Sequence, residues 1–74
     1  MSAGFEKIAW HDASGARLTC VEKLRVLAEN LSELQAMAQD ALEDALVLGV
    51  DEGQIREALV SLVKDLKNPY DDKI

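Results

Sequence analysis

Apolar residues through the middle of the chain fall at Leu24, Leu27, Leu31, Leu34, Ala38, Ala41, Ala45 and Leu48. Their spacing alternates between three and four residues, the seam of a helix that packs on other helices. No glycine or proline interrupts the run. Thr19 is placed to act as N-cap, with Glu22 as the returning side chain of a capping box. Gly49 can take the left-handed backbone that stops a helix. The pattern predicts a helix over about residues 20–48, which at 1.5 Å per residue would be about 43 Å long.

A second pattern follows at once. Asp51 is a cap with Gln54 as its capping-box partner, and Ile55, Leu59, Leu62 and Leu66 repeat at helical spacing. Ala58 and Val63 widen this apolar side. Asn68-Pro69 closes it, because the residue before a proline resists helical geometry. The predicted second helix spans about residues 52–67. So short a link implies an antiparallel αα-hairpin. Residues 68–74 read as a polar tail whose end frays.

Ahead of the helices the period changes. Ile8 and Trp10 alternate within Phe5–Trp10, and Leu18 sits between Arg17 and Thr19. Asp12-Ala13-Ser14-Gly15 has turn chemistry, since Asp suits the start of a type I turn and Gly tolerates positive φ. Residues 5–19 are therefore expected to form a β-hairpin, or else residues 1–19 form an arm. An isolated hairpin is marginal in water, so Ile8, Trp10 and Leu18 are expected to lie on the helices. The expected fold is mainly α: an N-terminal β-hairpin or arm over 1–19, then a helical hairpin over 20–67.

Length sharpens what the helices need. The shorter helix can pair with Ala36–Leu48 only, which leaves the leucines from Leu24 to Leu34 to be covered by something else. A bare row of four leucines is more apolar surface than soluble monomers usually show. The chain has 74 residues and one cysteine, so no intrachain disulfide can reinforce it. The expected solution is a homodimer in which four helices form a bundle around Leu24, Leu27, Leu31, Leu34, Leu59 and Leu62. Alanines at 36, 38, 41 and 45 suit close approach of the paired helices.

Charge narrows the partners. Net charge is −6. Val26–Ile55 holds Glu29, Glu33, Asp40, Glu43, Asp44, Asp51 and Glu52 without a single base. Phosphate backbones and anionic membrane surfaces are bound by basic patches, so neither nucleic acid nor membrane is expected as a partner. A strand followed by two helices is also the order of ribbon-helix-helix repressors, but this first helix is too long and the charge has the wrong sign. No apolar run approaches a bilayer span, and residues 1–5 lack signal-peptide character. With one free thiol, the cytoplasm is the expected compartment.

Three features carry candidate chemistry. Asp40, Glu43 and Asp44 lie near the end of the first helix, where the dipole disfavours acids. They can be a solvated face, a docking surface for a basic protein, or a carboxylate metal site. The metal reading is the weakest, because helix-bundle metal sites add a histidine and His11 lies outside the helices. Cys20, near a helix N-terminus and close to Lys23, can be a reactive thiol or a small buried apolar residue. A Cys–His nucleophile would also need an oxyanion site and a pocket. No catalytic role and no cofactor are therefore expected. The preferred reading is a small acidic interaction module, acting as adaptor, regulator or accessory subunit through helix faces. The alternatives are a thiol- or metal-responsive sensor using Cys20, and an acidic mimic that occupies a basic nucleic-acid-binding site on a partner.

Overall fold

Two helices account for most of the chain. The computed structural model describes residues 4–70; the parts of the expected arm and tail at 1–3 and 71–74 lie outside the described residues. A 3-10 turn, Phe5–Lys7, precedes a long helix α1, Val21–Val47, and a shorter helix α2, Glu52–Lys64. The chain divides within α1 into two compact units, one through Met37 and one from Ala38.

The expected strand over Phe5–Trp10 does not form. Gly4 adopts φ 94°, and the Lys7 N–H donates to the Gly4 carbonyl at 2.9 Å, winding Phe5–Lys7 into a 3-10 turn. Too few residues then remain before the reversal to build a ladder. Among the described residues, β-structure is limited to one antiparallel bridge, His11 to Arg17. The reversal itself follows the sequence logic. Asp12 Oδ1 accepts the Ser14 N–H at 2.9 Å, the Ser14 hydroxyl at 2.7 Å and the Ala16 N–H at 3.0 Å. Gly15 supplies the positive φ, 94°. The Leu18 N–H then donates to the Trp10 carbonyl at 2.9 Å.

That last bond holds the chain in the turn through Leu18, and α1 starts later than Thr19 would set it. The first intrahelical bond runs from the Leu24 N–H to the Cys20 carbonyl, 3.0 Å. Cys20, not Thr19, therefore occupies the cap position. The C-terminus of α1 closes as expected at Gly49, φ 95°. The Val50 N–H donates to Ala45 at 2.9 Å and the Gly49 N–H to Leu46 at 3.1 Å, the paired bonds of a Schellman stop. Asp51 then caps α2 by accepting the Gln54 N–H at 3.1 Å. The helix ends at Lys64, and the Leu66 N–H folds back to Val63 at 3.2 Å.

In the first unit, Ala28 is only 5% exposed, and Leu24, Leu27, Leu31 and Ser32 are half-buried. An alanine inside a helix reaches that burial only when other chain lies over it. In the segment before α1, Phe5, Trp10 and Leu18 are half-buried as well. Ile8 is 43% exposed and does not share the burial of Trp10, contrary to the alternation of a strand.

In the second unit, α2 packs against the C-terminal part of α1 in a helical hairpin. Ala45 is 9% exposed, and Ala38, Leu42, Ile55 and Leu59 are half-buried. Ala41 and Leu48, both on the expected seam, are exposed, and Leu42 takes the inward position. One row of the repeat, Leu24, Leu31, Ala38 and Ala45, stays inward throughout, whereas Leu34, Ala41 and Leu48 of the alternate row are exposed.

Candidate interaction surface

Coverage of apolar side chains is incomplete in both units. Among the described residues, no large side chain is fully buried. Of the six leucines expected at an interface, Leu24, Leu27, Leu31 and Leu59 are half-buried. Leu34 is 50% exposed and Leu62 is 56% exposed. The structure thus splits the set: four are half-buried and two are exposed.

The N-terminal half of α1 carries an open groove of about 620 Å³. Its apolar lining comes from Val21, Leu24 and Ala28, and Arg25, Glu29 and Glu33 supply charge. Arg25 is held between Glu22 and, at 3.5 Å, Glu29. Ser32 lines the groove with a buried hydroxyl that makes no hydrogen bond. The heptad reading missed this groove, because Ala28 and Ser32 lie off the leucine seam. Their spacing from Val21 and Leu24 was the available signal. A smaller hollow, formed by Leu18, Glu22, Lys23, Val26 and Leu27, lies between the reversal and the helix.

α2 exposes a second row. Val60 is 53% and Val63 56% exposed, and Leu66, just past the end of the helix, is 68% exposed. Arg56, held by Glu52 at 2.9 Å, and Lys64 accompany them. On α1, Asp40, Glu43 and Asp44 are all exposed. Glu43 accepts a hydrogen bond from the Gln39 amide at 3.1 Å, and Val47 nearby is 86% exposed.

Cys20 is an exposed free thiol. The Lys23 N–H facing it is the main cause holding its pKa below the ordinary thiol value, with smaller help from the Glu22 N–H and the Lys23 charge. N–H groups at a helix start that face a thiol favour its thiolate form. His11 is exposed at the bridge to Arg17. Among the described residues, no group of three or more His, Cys, Asp or Glu is placed to hold a metal ion. No helix among them is long and apolar enough to cross a membrane. Comparison with protein-family models, curated proteins and solved structures found no match.

Proposed function

We propose that this chain is a protein–protein interaction module that works as a homodimer, presenting helix faces as an adaptor, regulator or accessory subunit. The observation that carries the reading is the absence of any fully buried large side chain among the described residues, together with Leu34, Leu62, Val63 and Leu66 at 50% exposure or more. Helices with this much leucine and valine outside are stabilised when a partner removes that area from water, at about 25 cal/mol per Å². The proposed assembly is a four-helix bundle that completes the coverage of Leu24, Leu27, Leu31, Leu34, Leu59 and Leu62. No catalytic step is assigned to the module, and the acidic outer face of α1 is its means of meeting a basic protein.

Leu31→Glu tests this reading. A carboxylate at the centre of the leucine row should lower the molar mass in solution from dimer to monomer, or unfold the chain, as read by light scattering and circular dichroism together. A variant that keeps both wild-type mass and wild-type helicity would contradict it. A second reading, the thiol-responsive sensor, draws on the exposure and lowered pKa of Cys20. It predicts that Cys20→Ser removes an oxidant-dependent change in partner binding while helicity stays intact; an unchanged response would end that reading.

A further inference from the structure

We draw no further inference here: the strongest candidate, the open apolar groove along the N-terminal half of α1 at Val21, Leu24, Ala28 and Ser32, carries nothing because nothing in the structure shows what covers it.

Discussion

Asp12 and Cys20 show how single side chains shape the part of the chain that is not helix. Asp12 gathers the Ser14 hydroxyl and the Ser14 and Ala16 amides on one oxygen. The Ser14 hydroxyl is the largest cause of its lowered pKa, followed by the Ala16 N–H. The carboxylate form therefore favours the folded reversal. Its contribution is present above the unfolded carboxyl pKa and fades as pH falls through the lower, folded value. Cys20 follows the same sign: folding lowers its pKa, so the thiolate favours the start of α1 above the unfolded thiol pKa. Alkylation of Cys20 should accordingly show a pH midpoint below that of an unstructured peptide thiol, and urea should return it to the ordinary value. A midpoint unaffected by unfolding would mean that the helix start does not act on the sulfur. The sequence placed this cysteine beside a helix N-terminus but put the cap one residue early, because the bond from Leu18 to Trp10 that delays the helix joins residues far apart in any local pattern.

At the scale of elements, what was readable is what local chemistry controls. The Gly49 stop and the Asp51 cap are both where the residue types demand them, since a positive φ and an orphan N–H are satisfied within a few residues. Gly49→Ala should cost about 1 kcal/mol from its left-handed backbone, with open space around the added methyl leaving no clash to raise the cost. Urea denaturation measures it; an unchanged midpoint would contradict the account of the stop. The strand over Phe5–Trp10 failed for the complementary reason. Alternation of Ile8 and Trp10 could not reveal that Gly4 turns the chain into a 3-10 segment just before them. The seam holds at Ala38 and Ala45 and not at Ala41 and Leu48, because the contact follows a single row of the repeat, and Leu48 lies past the end of the helix. Ala45 is then a position of close packing. Ala45→Leu should lower stability by roughly 1–3 kcal/mol through overpacking, whereas the exposed Ala41→Leu should not.

For the whole molecule, the sequence revealed a shortage of cover but not its location. It expected the leucines from Leu24 to Leu34 to be covered either by the N-terminal hairpin or by a second copy. Leu24, Leu27 and Leu31 are half-buried, and exposed apolar area lies at Val21, Leu34, Met37, Val47 and Leu48 as well as along α2. The groove beside Ala28 and Ser32 was legible only as a spacing from Val21 and Leu24, which lies off the leucine seam. Self-association remains the simplest way to remove this surface from water, and it is the claim on which the proposed function depends. Sedimentation equilibrium of the wild-type chain over a wide concentration range measures it directly. The account predicts a mass that moves from one chain toward two as concentration rises. A single-chain mass at every concentration, with full helicity, would contradict it.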